Sequence, residues 1–181
     1  MARDVEISRL LELMPPPPGA GEAGDWAAVE SAWGFRFPSD YVEFVTRYGQ
    51  GEIDRSLAVI APDELMPPDA PQPGMRGMTE EARWLFEEDG EPTDEVRSAE
   101  QIIAWGGSCT GDTLGWLTVG DDPDEWPVLV LSRDGGAPRV FETGVVAFLH
   151  GVVSGEISPS PVGAVVTWGD RPPRFVHWRA G

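Results

Sequence analysis

Apolar residues recur at helical spacing towards both ends of this chain and in short unbroken runs across its middle. Between Asp4 and Leu13, the residues Val5, Ile7, Leu10, Leu11 and Leu13 trace one side of a short helix that Pro15 to Pro18 cannot continue. After a Gly-rich linker, Asp25 is placed to cap a second helix in which Trp26, Val29 and Trp33 share a stripe and Gly34 supplies the stop. A third helix opens at Pro38 and Ser39, with Ser39 as the expected N-cap and Asp40 at the positive end of the dipole. Tyr41, Phe44, Val45 and Tyr48 form its apolar stripe, and Gly49 and Gly51 close it.

From Ile53 the period shortens. Leu57, Val59 and Ile60 read as a strand, and so do the apolar runs 102–105, 114–119 and 128–131, each bounded by Gly, Asp and Pro turn clusters. Val140 and Phe141 add a short one. Between the first strand and the rest lies a Pro-rich loop, followed by a short acidic helix over 79–88 that carries Trp84, Leu85 and Phe86. Thr143 is the expected cap of a last helix running through Val145, Phe148, Leu149 and Val152 to a stop at Gly155. The segments 164–168 and 175–178 read as edge strands. This order predicts a single α+β domain, a twisted central sheet of about five to six strands with helices packed around it. The expected organisation is an N-terminal helix and Pro/Gly linker over 1–24, a main domain over 25–155 with an acidic Pro-rich insert at about 62–100, and a C-terminal extension over 156–181.

Charge narrows the function. Thirty-one acidic side chains oppose thirteen basic ones in 181 residues, a formal charge of −18 that repels phosphate backbones and anionic headgroups, so neither nucleic acid nor a membrane is an expected partner. All the basic residues are arginine, which excludes Schiff-base, P-loop and Ser-Lys chemistry. Cys109 is the one cysteine, and His150 and His177 are the only histidines, too few for a thiolate or multi-histidine metal site; no metal and no cofactor is expected. The first residues lack an apolar signal core and no long apolar window follows, so the protein is expected to be cytoplasmic.

Three motifs come close to chemistry and miss it. Gly106, Ser108 and Thr110 fall one residue short of a nucleophile elbow, because Thr110 stands where the second glycine belongs. The run from Gly106 to Gly111, then Asp112 and Thr113, has P-loop spacing, but Asp112 replaces the essential lysine and would repel phosphate. Asp121, Asp122, Asp124 and Glu125 gather oxygen ligands without EF-hand spacing and with Pro123 between them. No enzyme is expected; the alternative is a hydrolase using Ser108 or Cys109.

Several segments in order resemble one family. Trp33, Gly34 and Phe35, then the run from Phe37 and Pro38 through Ser39, Asp40 and Tyr41 to Tyr48, Gly49, Gln50 and Gly51, resemble the signature of the SUKH superfamily, the Smi/Knr-like proteins. Ile102, Ile103 and Trp105 ahead of Gly111 and Asp112, the strand from Leu114, Pro127 with Val128, and the helix from Val145 to Leu149 follow in the family's order. The likeness covers about 25–154, while 62–100 has no clear counterpart in it. The resemblance implies an α+β domain and, for most bacterial members, an immunity protein that binds and blocks a secreted toxin. Other members are regulatory or scaffolding proteins, some linked to fungal cell-wall synthesis.

Charge distribution supplies a candidate face. Between Glu80 and Glu125 there are fourteen acidic residues against only Arg83 and Arg97. The plain reading is a solvated surface. The sharper reading is a field that steers a basic partner, such as a toxin domain that holds phosphate, with Trp84 and Trp126 as aromatic anchors in a charged rim. The expected partner-binding residues are Trp84, Glu87, Glu88, Asp89, Glu91, Asp121, Asp122, Asp124, Glu125 and Trp126.

Overall fold

The computed structural model describes residues 2–67, 73–162 and 171–178. Among these, the helices are α1 (Ala2–Leu13), α2 (Trp26–Trp33), α3 (Ser39–Tyr48), α4 (Met75–Asp89) and α5 (Val145–Ser154). The strands are β1 (Gly51–Ile53), β2 (Leu57–Val59), β3 (Ile102–Ser108), β4 (Thr113–Leu117), β5 (Val128–Leu131), β6 (Arg139–Phe141) and β7 (Phe175–His177). They form one seven-stranded antiparallel sheet in the order β6-β5-β4-β3-β2-β1-β7. The fold is α+β, with more strands than the five to six expected. The difference lies in β1, three residues long and masked in the sequence by the glycines that close α3. The expected strand at 164–168 lies outside the described residues, whereas the one near 175–178 is β7, paired to β1 at the sheet's edge.

Strand periodicity builds two cores. On β3, Ile103 and Trp105 face one way and Ile102 and Ala104 the other; on β5, Val128 and Val130 oppose Leu129 and Leu131. The first set joins Leu10, Val29, Tyr41, Phe44 and Phe148 from α1, α2, α3 and α5 in the larger core. The second set is covered by Ala82 and Phe86 of α4, with Val96 and Ala99 from the turn that follows. The unbroken apolar run of β5 is therefore that of a strand buried on both faces. The Pro-rich stretch of the sequence ends in a helix of fifteen residues, longer than expected, and this helix covers one side of the sheet. Thr79 Oγ1 accepts from the Ala104 N–H at 3.0 Å and the Arg83 side chain donates to the Ile102 and Glu100 carbonyls, pinning α4 across β3.

Two helix caps come from far along the chain. Ser39 is the first residue of α3 rather than its cap; Pro38 holds the cap position, and Asp124 Oδ1 accepts the Ser39 N–H at 2.6 Å. Thr143 does not cap α5 either. Gly144 holds that position, and Asp40 Oδ2 accepts from Val146 N–H at 3.1 Å. A Cβ at Gly144 would overlap Asp40 Oδ2, so a side chain there would evict the carboxylate that does the capping. The cap at Asp25 is local, as expected, accepting from Ala28 N–H at 3.2 Å.

The extension closes the larger core from outside. Phe175 of β7 packs edge-on against Tyr48 and Phe44, with centroids 5.2 and 5.8 Å away. His177 meets Glu22 of the N-terminal linker at 3.1 Å, both side chains buried.

Candidate protein-binding face

The residues that looked alike in sequence part company in the fold. Trp84 is 58 % exposed on α4, the one exposed tryptophan among the described residues. Its helical neighbours three and four positions away are Glu80, Glu81, Glu87 and Glu88, all exposed, so the indole stands between carboxylates one turn before and one turn after. Asp89 and Glu91 continue the acidic surface, where the Asp89 carbonyl accepts from Gly136 N–H and Glu91 N–H donates to the Gly136 carbonyl.

Among the described residues none of these six carboxylates has an ion pair or a side-chain hydrogen bond. The reason lies in where the arginines of α4 go. Arg83 is spent on the β3 and Glu100 carbonyls, and Arg76 on Glu64 and the Ala32 carbonyl. Glu87, Glu88 and Asp89 also crowd the C-terminal turn of α4, where the helix dipole disfavours negative charge and no basic residue compensates. The arrangement weakens the helix locally, which a surface selected only for stability would avoid.

The turn between β4 and β5 is the opposite case. Arg36 grips two of its aspartates, with Nη2 2.7 Å from Asp122 Oδ1 and Nη1 2.9 Å from Asp124 Oδ2. The hydrogen bond to Asp124, and the charges of both aspartates, push the Arg36 pKa above its ordinary value. Asp122 also accepts from the Asp124 N–H, and Asp124 caps α3. Trp126 is buried, edge-on to Phe35 at 5.5 Å, and cannot serve as an exposed anchor without the turn opening. Asp121 and Glu125 stay exposed. This turn precedes the first residue of β5, while Gly136, against which Asp89 and Glu91 lie, follows its last. The two acidic groups therefore sit at opposite ends of that strand.

The near-miss catalytic segment is a hairpin closure. Ser108 Oγ lies 2.7 Å from Asp112 Oδ2 and 2.8 Å from Thr110 Oγ1, and Asp112 is buried. Neither imidazole joins it: His150 faces Glu156 at 3.6 Å and His177 faces Glu22. Cys109 is exposed, with its N–H donated to the Ser56 carbonyl. Among the described residues no group of three or more His, Cys, Asp or Glu is placed to hold a metal ion, and no helix is long and apolar enough to cross a membrane.

The fold is α+β, with an acidic helix facing solvent on one side of the sheet. The family model SUKH_6, described as SMI1-KNR4 cell-wall, matches residues 23–149, and the chain belongs to that family. The match runs through the Pro-rich stretch and α4, so the helix that carries Trp84 lies within the family domain, while α1 and β7 lie outside it. No curated protein and no solved structure matches the chain.

Proposed function

We propose that this SUKH-family protein is a non-catalytic binding module of the immunity type, which neutralises a secreted toxin by binding a basic surface of the toxin domain. The observation that carries the reading is the outer face of α4: an exposed tryptophan among acidic side chains that have no ion pair or side-chain hydrogen bond among the described residues. Uncompensated charge of one sign raises the encounter rate with an oppositely charged protein, and a large aromatic at its centre is the commonest kind of interface anchor. A toxin acting on nucleic acid must carry positive charge to hold phosphate, which makes it the natural complement. The engagement of Ser108 by Asp112 and Thr110, with no imidazole beside it, supports a role without chemistry.

The reading requires a secreted basic toxin domain encoded beside the gene. Co-expression with that domain should restore growth, and the purified pair should form a complex whose association slows as salt rises from about 50 to 300 mM. A toxin domain that neither binds nor is neutralised overturns the reading. The family's cell-wall description supports a second reading, a regulatory scaffold, under which the α4 face would bind a partner of the same cell.

A further inference from the structure

The chain contains a worked example of what an indole beside a glutamate takes. Trp33 Nε1 donates to Glu64 Oε2 at 2.9 Å, and the other oxygen of that carboxylate accepts from Arg76 Nη2 at 2.8 Å. The same guanidinium lies over the Trp33 ring, its Cζ 4.1 Å from the centroid. One arginine thus satisfies the aromatic face and the carboxylate together. On α4, Trp84 has the ring and the flanking carboxylates of Glu80, Glu81, Glu87 and Glu88, but among the described residues no arginine pairs with them.

We propose that Trp84 and its ring of glutamates form a receptor for an arginine side chain of the partner, seated as Arg76 is seated on Trp33. This rests on the α4 face being the partner surface, and it names the chemistry of the contact. A guanidinium is planar and weakly hydrated, so it stacks on an indole and keeps its edge free for a carboxylate. An ammonium is a compact, strongly hydrated point charge that gives up one contact to make the other. The four carboxylates lie about one helical turn, roughly 5 Å along the axis, to either side of Trp84, which places one within reach of a stacked guanidinium whichever way its stem approaches. The face should accordingly discriminate arginine from lysine, which general acidity cannot do.

The probes are a short oligoarginine peptide and an oligolysine peptide of equal length and charge, titrated against the full chain at low salt. Oligoarginine should bind more tightly than oligolysine. Trp84→Ala should weaken oligoarginine by about 3- to 30-fold, leave oligolysine little changed, and so close the gap between the two. Changing Glu80, Glu81, Glu87 and Glu88 together to Gln should weaken both peptides, while Asp121→Asn with Glu125→Gln should affect neither. Circular dichroism checks that each variant is folded. Equal binding of the two peptides by the unaltered chain, or an arginine affinity indifferent to Trp84→Ala, overturns the proposal. A toxin domain that binds the Trp84→Ala protein undiminished also overturns it and leaves neutralisation standing; a toxin domain that fails to bind the unaltered chain removes neutralisation instead, whatever the peptides show.

Discussion

The face of α4 and the turn between β4 and β5 share a composition, a tryptophan among aspartates and glutamates, and the fold gives them different surroundings. At the turn, Arg36 and the first N–H of α3 consume Asp122 and Asp124, and Trp126 is buried against Phe35. On α4, Arg76 and Arg83 are engaged by Glu64 and by the Ala32, Ile102 and Glu100 carbonyls, the carboxylates are left to solvent and Trp84 stands exposed. An acidic cluster therefore says little about binding until the partners of each carboxylate are known. Charge already paired within the fold adds less to the field that steers a second protein than uncompensated charge does.

The contrast can be broken most directly at the two tryptophans. Trp126→Ala should destabilise the protein by about 3 to 5 kcal/mol through loss of buried ring and the cavity left behind. Trp84→Ala should stay within about 0.5 kcal/mol of the unaltered chain, since the ring makes little internal contact. Urea denaturation of both variants reads the difference; equal losses would erase the distinction between the regions.

The aspartates come next. Asp124→Ala removes the cap of α3 and one of the two carboxylates on Arg36, and should cost about 1 to 2 kcal/mol. Asp121→Ala, a few residues away and exposed, should be nearly silent in the same thermal melts. If Asp121 proved the costlier loss, the capping role given to Asp124 would be wrong.

Association kinetics test the same division from the side of binding. Under the proposed function, Glu87→Gln with Glu88→Gln should slow binding of the toxin domain by about 3- to 10-fold at low salt and flatten its salt dependence, with dissociation little changed. The pair Asp121→Asn and Asp122→Asn should leave the on-rate near its starting value. Relief of like charge against the α4 dipole should also raise stability slightly, by a few tenths of a kcal/mol.

The smallest effect concerns the internal trio of Trp33, Glu64 and Arg76. Partial burial raises the Glu64 pKa, but hydrogen bonds from Arg76 and Trp33 outweigh it, and the net direction is downward. A carboxyl whose folded pKa is depressed contributes stability above its unfolded pKa and loses that contribution as pH falls through the folded value. The unaltered chain should therefore lose slightly more melting temperature than Glu64→Gln between about pH 5 and pH 3. Identical acid profiles would remove the model on which the Trp84 receptor is built.

Much of this molecule could be read along the chain because it depends on neighbours a few residues apart. The stripe of Tyr41, Phe44, Val45 and Tyr48 is buried as its spacing implies, Gly34 takes the left-handed conformation that ends α2, and the runs at 102–105 and 128–131 are strands. The family likeness rests on the same local signals and agrees with the matched span. The readings that fail are those in which a local answer competed with a distant one. Ser39 and Thr143 were suitable caps by type, yet Asp124 and Asp40 reach those helix ends from elsewhere in the fold.

The sequence by itself determined the periods, and with them the helices, most strands and the excess of negative charge, because side-chain alternation and turn chemistry act over a few residues. Which charges are free was decided by tertiary structure alone. Arg36 meets Asp122 and Asp124 across 86 and 88 positions of chain, a pairing no local pattern encodes. With α4 laid on the sheet, Arg83 turns to the β3 carbonyl of Ile102, while Trp84 and its glutamates on the same helix face water.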